Sequence, residues 1–269
     1  MKITGTTRLY VIFGDPLNKA RSPETFNAIF AERGIDAVLV PGEVDAAGFA
    51  DAVRGFQRLR NCDGIIVTMP HKQAMCALVD ELGENGRLAG AINVARRTPD
   101  GRWIGDMFDG RGYLAALRRR GIDPRGKRVH LIGAGGVARA MAMALAHAGV
   151  ATVTLRDVDA RRAENLADAL SAAFPSVQAR ALGEDQYESD IIANATPLGM
   201  KQGDALPCDP ARIAPSTVVT DVIPKPDITP FLAAAQQRGC QVVTGREMVE
   251  GQAGLIAEFL QLPVRPVRP

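Results

Sequence analysis

Short apolar segments alternate with helix-like segments along nearly the whole chain, and this alternation is the strongest constraint on its fold. The apolar segments resemble strands that are buried on both faces within a parallel sheet. Their alternation with helices predicts an α/β protein whose mostly parallel sheets are covered by helices on both faces. The predicted strands are Leu9–Phe13, Ala37–Val40, Gly64–Thr68, Val129–Ile132, Thr152–Leu155, Ile191–Asn194, Val218–Asp221 and Gln241–Val243. The predicted helices are Pro23–Arg33, Ala47–Leu59, Gln73–Leu82, Asp109–Leu117, Val137–Ala148 and Ala160–Ala173.

A cluster of turn residues interrupts this alternation. The sequence GIDPRG at 121–126 reads as a break, and a fresh alternation begins at Arg128. We therefore infer two α/β units that meet near residue 107. The chain has 269 residues, which is enough for two domains of ordinary size.

Composition argues against several classes of protein. Hydrophobic residues make up 46% of the chain and charged residues 23%, a balance typical of soluble globular proteins. A net charge of +2 is too small to indicate a nucleic-acid surface. The most apolar stretch, Ala138–Val150, contains Arg139 and His147 and is too short to span a bilayer. We therefore expect neither nucleic acid nor a membrane as a partner.

The N-terminus and the cysteines are typical of a cytoplasmic protein. The sequence MKITGTTRLYVIFG has polar residues where a signal peptide needs its apolar core. The four cysteines are scattered and form no Cys-x-x-Cys pair. This distribution is typical of free thiols in a reducing compartment. Because only three histidines are present, we expect no metal site.

The segment VHLIGAGGVARA, at 129–140, places a Gly-rich turn directly after a predicted strand and before a predicted helix. Its spacing is the G-x-G-x-x-A form of the dinucleotide-binding fingerprint. In that fingerprint the first glycine permits a tight turn, the second lets the backbone approach the pyrophosphate, and the alanine allows close helix–strand packing. The free N–H groups of the helix start then face the phosphates. The predicted cofactor contacts in this turn are Gly133, Ala134, Gly135, Gly136 and Val137.

The next strand ends in two residues of opposite charge that bear on the choice of cofactor. Asp157 can accept hydrogen bonds from the adenosine ribose hydroxyls and repels a 2′-phosphate. Arg156, immediately before it, could instead pair with that phosphate and argue for NADP. Because neighbouring residues of a strand point to opposite sides, only one of the two can face the ribose. The sequence favours NAD, with NADP as the alternative.

The nicotinamide end of the site is expected at the carboxyl ends of the later strands. The segment IIANATPLGM, at 191–200, is such an end, although a plain β-turn would explain its proline and glycine equally well. The predicted contacts from these strand ends are Asn194, Thr196, Pro197, Val222 and Gly245.

Seven segments in combination resemble the shikimate/quinate dehydrogenase family. They are GDPLNKARSPETFN at 14–27, VTMPHK at 67–72, GAINV at 90–94, GDMFDGRG at 105–112, GAGGVA at 133–138, NATPLGM at 194–200 and MVEGQ at 248–252. They follow the family's order over essentially the full chain. Each is common alone, but the combination is specific.

The resemblance implies a two-domain enzyme that holds a small hydroxy-acid substrate in a cleft between its domains. An N-terminal α/β substrate-binding domain would take residues 1–106 and be rejoined by C-terminal helices at 247–269. A doubly wound Rossmann domain that binds NAD(P) would take residues 107–246. We expect the protein to be a monomer or a homodimer.

The resemblance also implies a catalytic pair. The family places a lysine after its VT-x-P strand and an aspartate in its D-G motif, and the matching residues are Lys72 and Asp109. When an alcohol carbon gives hydride to the nicotinamide, the hydroxyl proton must pass to a positioned group. An ammonium beside the developing alkoxide also lowers the barrier electrostatically. Either residue could be the proton acceptor.

Further residues match positions that hold the substrate in the family. Asn93 and Gln252 match the residues that bind substrate hydroxyls, and Thr68 lies in the VT-x-P segment. Ser22 matches the second serine of a Ser-x-Ser motif that binds the substrate carboxylate. It also stands where the N-cap of the first predicted helix is expected.

The sequence departs from the family pattern on the substrate side. The first serine of Ser-x-Ser is Ala20, the asparagine before the VT-x-P valine is Ile66, and the polar pair before the D-G motif is Met107–Phe108. A tyrosine that is common after a late strand is replaced by Pro224. Each loss removes a polar partner of the substrate, so we predict an altered, more apolar pocket. Replacement carboxylate contacts could come from Lys19, Arg21 or Arg111.

We therefore expect an NAD-dependent oxidoreductase that acts on a secondary alcohol or ketone of a shikimate- or quinate-like hydroxy acid, with a preference altered from shikimate. One alternative is an NAD-binding sensor of the same fold that has lost turnover, although such a sensor has no need for Lys72 and Asp109. A folate-interconverting dehydrogenase is a further alternative, against which Asp109–Gly110 and Gln252 argue.

Overall fold

A computed structural model describes residues 2–18 and 20–263, which form two compact units. The first unit takes the chain as far as Phe108 and again from Ala253 onward, and the second is Asp109–Gln252. The sequence predicts the boundaries near 106 and 246. The second boundary in the structure falls later, within a continuous helix over Gly245–Phe259.

The first unit is built on a six-stranded mixed sheet. Its strands are β1 (Arg8–Gly14), β2 (Ala37–Glu43), β3 (Cys62–Val67), β4 (Glu81–Leu82), β5 (Val94–Arg97) and β6 (Trp103–Asp106). Its helices are α1 (Ser22–Arg33), α2 (Phe49–Arg58) and α3 (Glu84–Ala89), with a 3₁₀ turn at Ala74–Leu78. The order is β2-β1-β3-β5-β6-β4. Strands β2, β1 and β3 run parallel, and β5 is antiparallel to both of its neighbours.

Three local predictions for this unit are wrong. The sheet contains a hairpin, β5–β6, that the sequence does not predict, because β5 ends in two arginines that break the apolar pattern. The helix predicted over Gln73–Leu82 is a 3₁₀ turn followed by β4, which pairs with β6. Ser22 is not the N-cap of α1: Arg21 occupies that position without a side-chain cap, and Ser22 is the first helical residue.

Both faces of this sheet are covered by apolar side chains, as predicted. Along β1, Tyr10 and Ile12 belong to one core cluster, and Val11 and Phe13 belong to another. This division follows from the alternation of side chains along a strand. The sheet therefore places its own functional residues at strand ends rather than on its faces.

The second unit is a Rossmann fold. Its strands are β7 (Arg128–Ile132), β8 (Thr152–Arg156), β9 (Gln178–Ala181), β10 (Ile191–Asn194), β11 (Val218–Asp221) and β12 (Val242–Val243). Its helices are α4 (Asp109–Arg119), α5 (Gly136–His147), α6 (Ala160–Ala173), α7 (Pro230–Gln237) and the part of α8 (Gly245–Phe259) that ends at Gln252, with a 3₁₀ turn at Pro210–Arg212. All pairs in the order β12-β11-β10-β7-β8-β9 are parallel.

This doubly wound arrangement confirms the predicted α/β fold class. The strand order reverses at β7, and the crevice outside the carboxyl ends at such a point is where open α/β sheets bind ligands. Strand β9 and helix α7 are absent from the prediction, since β9 alternates polar and small residues and α7 lies in a Pro-rich segment.

Within residues 2–18 and 20–263, no helix has the length and apolar character needed to cross a bilayer.

Candidate active site

The Gly-rich turn between β7 and α5 has the backbone that its sequence predicts. Gly133 has a φ of +108°, which L side chains rarely adopt, and its N–H donates to the carbonyl of Arg156 at 2.6 Å. A Cβ on Gly133 would lie 2.9 Å from the carbonyl oxygen of Ala195. Ala138 is fully buried, as close packing of α5 on the sheet requires. The turn therefore tolerates only glycine at 133.

The outer side of this turn is open. Gly135 is the N-cap of α5 in an extended conformation, and a Cβ on Gly135 or on Gly136 would meet no atom within 4 Å. Val137 is half-buried in the first turn of α5. An open cradle in front of the N–H groups of a 12-residue helix fits the pyrophosphate of a dinucleotide.

Asp157 and Arg156 point in different directions at the end of β8. The carboxylate of Asp157 accepts the N–H of Ala134 at 2.7 Å and that of Asp159 at 2.9 Å. Arg156 instead lies 2.5 Å from Asp185 and donates to the carbonyl of Pro207 at 2.6 Å. The Asp157 carboxylate therefore contacts the Gly-rich turn, whereas the Arg156 guanidinium contacts other loops of the same unit.

At the end of β10, Asn194 organises the turn that follows. It is completely buried, and its Nδ2 donates to the carbonyl of Leu198 at 3.0 Å. Its Oδ1 accepts both the N–H of Thr196 at 3.0 Å and the hydroxyl of Thr196 at 2.6 Å. Pro197 lies on the exposed side of this turn. The structure thus gives Asn194 a role in shaping the loop, while Thr196 and Pro197 form its outer edge.

Asp221, which the sequence analysis did not single out, links this turn to the next strand end. Its buried carboxylate accepts Asn194 Nδ2 at 3.1 Å, the Ile223 N–H at 3.0 Å and the Thr229 hydroxyl at 2.8 Å. Burial outweighs these three donors and raises the pKa of Asp221 to about 6. The only sequence signal was an acid that ends an apolar strand.

The two later predicted cofactor contacts lie against each other. The N–H of Val222 donates to the carbonyl of Asn194 at 3.1 Å. Gly245 faces the backbone of Val222 and Ile223 so closely that a Cβ there would come well inside 3.0 Å of both. The ends of β10 and β11 and the start of α8 therefore converge at one place in the second unit.

In the first unit, backbone hydrogen bonds bring Lys72 and Asn93 together. The N–H of Val67 donates to the carbonyl of Asn93 at 2.7 Å, and the N–H of Ile92 donates to the carbonyl of Lys72 at 2.9 Å. The side-chain Oδ1 of Asn93 accepts the N–H of Phe108 at 2.9 Å. The half-buried Lys72 therefore stands on a turn whose two ends are fixed to the chain that carries Asn93.

Thr68 and His71 complete this turn. Thr68 donates its N–H to Phe13 at 2.8 Å and accepts the N–H of His71 at 3.0 Å. The buried His71 ring stacks on Phe49 at 4.2 Å, and its Nε2 donates to the carbonyl of Val44 at 2.7 Å. His71 is thus a structural support for the lysine beside it.

In the second unit, two glycines of α4 allow neighbouring helices to pack closely on the turn that begins at Asp109. Asp109 is buried and is the first residue of α4. A Cβ on Gly110 would come well inside 3.0 Å of the carbonyl of Ala140, so α4 packs directly on α5. A Cβ on Gly112 would do the same to Gln252 Cγ, so the Gln252 side chain lies over the first turn of α4.

Three of the departures from the family pattern share one apolar cluster in the first unit. Ile66 and Phe108 are buried in the cluster that contains Val94 and Ile256, and Ala20 packs against it. Met107 is buried as well. These apolar side chains are therefore explained by joint packing.

The remaining substrate-side residues lie nearer the surface. Ser22 is half-buried, whereas Arg21 and Arg111 are exposed. Pro224 is half-buried in the loop after β11. Lys19 lies outside the described residues.

Across the described ranges, no three His, Cys, Asp or Glu residues are grouped so that they could hold a metal ion.

A Rossmann unit with an open Gly-rich turn, in a chain whose other α/β unit carries a positioned lysine, defines a nucleotide-dependent oxidoreductase. Residues 12–95 match the family model of the shikimate dehydrogenase substrate binding domain. The shikimate dehydrogenase (NADP(+)) of Rubrobacter xylanophilus is 37% identical over 92% of this chain and 88% of that protein.

Two solved structures are similar to this chain over nearly its whole length. Shikimate 5-dehydrogenase from Listeria monocytogenes, in complex with shikimate and NAD, has a TM-score of 0.89 and 31% identity, with 99% of this chain and 96% of that chain covered. The 5-ketofructose reductase of Gluconobacter sp. strain CHM43 has a TM-score of 0.87 and 33% identity, with 97% and 95% covered. The chain belongs to the shikimate/quinate dehydrogenase family.

Proposed function

We propose that this chain interconverts a secondary alcohol of a shikimate- or quinate-like hydroxy acid and its ketone, with NAD preferred to NADP and with a substrate preference altered from shikimate. The observation that carries the proposal is the fixed turn that presents Lys72. The hydrogen bond from the Ile92 N–H to the Lys72 carbonyl and the neighbouring one from the Val67 N–H to the Asn93 carbonyl hold the backbone of Lys72 beside a residue that matches a substrate ligand.

Lys72 and Asp109 are the catalytic pair in this proposal. Bound coenzyme supplies the acceptor for the hydride that leaves the alcohol carbon. The hydroxyl proton passes to Lys72 or to Asp109, and an ammonium on Lys72 stabilises negative charge that develops on the substrate oxygen. Thr68, Asn93, Ser22 and Gln252 orient the substrate by hydrogen bonds.

The preference for NAD is supported by the charges at the end of β8. Asp157 faces the Gly-rich turn, and Asp159 caps α6 by accepting the N–H of Arg161 at 3.1 Å. Val158, between them, is an exposed apolar residue that offers no partner to a phosphate. Two carboxylates near the ribose repel a 2′-phosphate, while either can accept a hydrogen bond from ribose hydroxyls. The curated relative from Rubrobacter, by contrast, is named for NADP(+).

The altered substrate preference is supported by the apolar cluster. Ala20, Ile66 and Phe108 replace polar family residues and pack into one cluster, so the lost polar groups are not restored by a neighbour within it. An unpaired polar group of a substrate costs about 1–3 kcal/mol, so several such losses together weaken shikimate strongly. That a reductase of 5-ketofructose has this fold at 33% identity supports the idea that the fold serves other polyhydroxy substrates.

Steady-state kinetics test the proposal. NADH and NADPH formation is measured with shikimate, quinate and a panel of other cyclic and open-chain hydroxy acids and polyols. We expect turnover with NAD on at least one of them, and a kcat/KM for shikimate well below about 10⁴ M⁻¹s⁻¹. Higher efficiency with shikimate would refute the altered preference, and absence of turnover throughout the panel would favour the sensor.

A single substitution tests the apolar cluster more directly. Ala20 is only partly buried, so Ala20→Ser restores one hydroxyl without filling a closed core. One regained hydrogen bond of about 1 kcal/mol should raise kcat/KM for shikimate about fivefold. Ala28→Ser, at an exposed position of α1, is the matched control and should leave kcat/KM unchanged.

A further inference from the structure

Arg156 directly precedes Asp157, the residue that would bind the ribose. The Arg156 side chain, however, contacts two other loops of the second unit. Its Nη2 donates to the carbonyl of Pro207, in the long segment between β10 and β11, at 2.6 Å. Its Nε lies 2.5 Å from Oδ1 of Asp185, in the segment between β9 and β10. The second contact is an ion pair, because it joins a guanidinium nitrogen to a carboxylate oxygen.

Asp185 makes several contacts that fix its position. His130 Nε2 lies 3.3 Å from the same Oδ1, and the hydroxyl of Tyr187 donates to Oδ2 at 3.5 Å. His130 is fully buried, and its Nδ1 lies 2.9 Å from the Thr154 hydroxyl. Burial lowers the pKa of His130, so the imidazole is neutral at pH 7 and Arg156 is the cation that Asp185 balances.

We propose that Asp185 is a positioning residue for coenzyme selectivity, which weakens binding of a 2′-phosphate by holding the Arg156 guanidinium on the side of β8 opposite Asp157. This inference rests on the proposed use of NAD(P) by the second unit. It concerns only how the 2′-phosphate is rejected, and it assigns Asp185 no contact with the coenzyme.

The local geometry explains why one carboxylate has this effect. The backbone of Arg156 is fixed beside the Gly-rich turn, because its carbonyl accepts the N–H of Gly133 at 2.6 Å. Its side chain, however, is long and a quarter exposed, so its direction depends on its partners. Without the charge of Asp185, the guanidinium gains both freedom and uncompensated charge close to the residue that faces the ribose. A planar, permanently charged guanidinium is the side chain best suited to a phosphate.

Direct binding of two small probes isolates the 2′-phosphate. AMP and adenosine 2′,5′-bisphosphate are titrated by calorimetry into the whole protein and into variants whose melting temperatures are also measured. For Asp185→Asn we expect the ratio of bisphosphate to AMP affinity to rise at least fivefold over wild type. In the Arg156→Gln background, Asp185→Asn should leave the ratio unchanged, because the effect acts through the arginine.

Matched controls separate this effect from general changes of charge or fold. Asp190→Asn removes an acid from the same inter-strand segment, but its partner Arg128 is at the start of β7, so the ratio should not change. Asp185→Glu keeps the charge and should keep the wild-type ratio.

Two results would overturn the inference. One is an unchanged ratio in folded Asp185→Asn. The other is weaker bisphosphate binding in Arg156→Gln alone, which would mean that Arg156 already contacts the phosphate; this variant also decides the matter if Asp185→Asn fails to fold. A wild type that prefers NADP to NAD would contradict the proposed function, whereas the change between wild type and variant tests the inference by itself.

Discussion

Gly112 of α4 lies directly against Gln252 of α8, so closely that any side chain at 112 would collide with Gln252 Cγ. The carbonyl of Met248 would also lie only 2.7 Å from the added Cβ. The position of Gln252 therefore depends on the absence of a side chain on the neighbouring helix.

We expect Gly112→Ala to lower stability and to weaken substrate binding. A backbone carbonyl and a buried side chain must both move, and overpacking of this kind costs about 1–3 kcal/mol. Calorimetric melting and the KM of the substrate found in the panel measure the two effects. Gly254→Ala, in an open position of α8, the helix that carries Gln252, should be neutral or slightly stabilising. Equal losses in both variants would contradict this explanation.

The Gly-rich turn predicts a separation of folding from coenzyme binding. Gly135→Ala fills an empty cradle and meets no protein atom within 4 Å, so we expect an unchanged melting temperature and at least tenfold weaker NAD binding. Gly133→Ala should lower both, because its φ of +108° and its contact with Ala195 exclude a side chain. Calorimetric titration with NAD measures the affinities. Full NAD affinity in Gly135→Ala would show that the pyrophosphate lies elsewhere.

Asp221 predicts a pH-dependent contribution to stability. Its folded pKa of about 6 lies above its ordinary value of 3.8, so the folded protein binds the proton more tightly than the unfolded chain does. The contribution is therefore fully present below about pH 4 and is lost as the pH rises through 6. A shift of this size corresponds to a free energy on the order of 3 kcal/mol.

Urea unfolding of wild type and Asp221→Asn between pH 4 and pH 7.5 measures this contribution. Asparagine does not titrate, so the stability of wild type relative to the variant should fall across this range and then level off. A difference that is constant with pH would show that burial does not govern this carboxylate.

Substitution of Lys72 or of Asp109 should lower the turnover rate without weakening coenzyme binding. Loss of a group that handles a proton typically costs 10²–10⁴-fold in turnover, so Lys72→Ala and Asp109→Asn should each lower kcat by about that factor. NAD affinity should stay unchanged. Gln73→Ala, at the exposed neighbouring position, is the control and should keep full activity. Activity of Lys72→Ala within threefold of wild type would remove the lysine from the mechanism.

The sequence predicts those parts of the fold whose pattern is local. Helix α6 and strands β10 and β11 begin and end at the predicted residues, because each is an uninterrupted apolar or amphipathic segment between turn residues. The sequence does not predict strand β5, because Arg96 and Arg97 interrupt its apolar pattern. Arg97 packs on Trp103 at 4.9 Å and so covers apolar surface despite its charge.

The parts of the candidate site that depend on local sequence are predictable as well. The Gly-rich turn and the order of the motifs can be read from the sequence alone, since the spacing of glycines indicates the backbone geometry. The roles of Asp221 and Asp185 are not, because each depends on partners from distant segments: Asp221 binds Asn194 and Thr229, and Asp185 pairs with Arg156.

The shared packing of Ala20, Ile66 and Phe108 restricts which single substitutions can restore polar residues to this cluster. A polar residue introduced at Ile66 or Phe108 alone would stand in a closed apolar core, and burial of an unpaired polar group is costly. Ala20, at the margin, can change first at little cost. A polar residue at Ile66 or Phe108 should therefore be tolerated only together with a change elsewhere in the cluster, for example at Ile256 of α8.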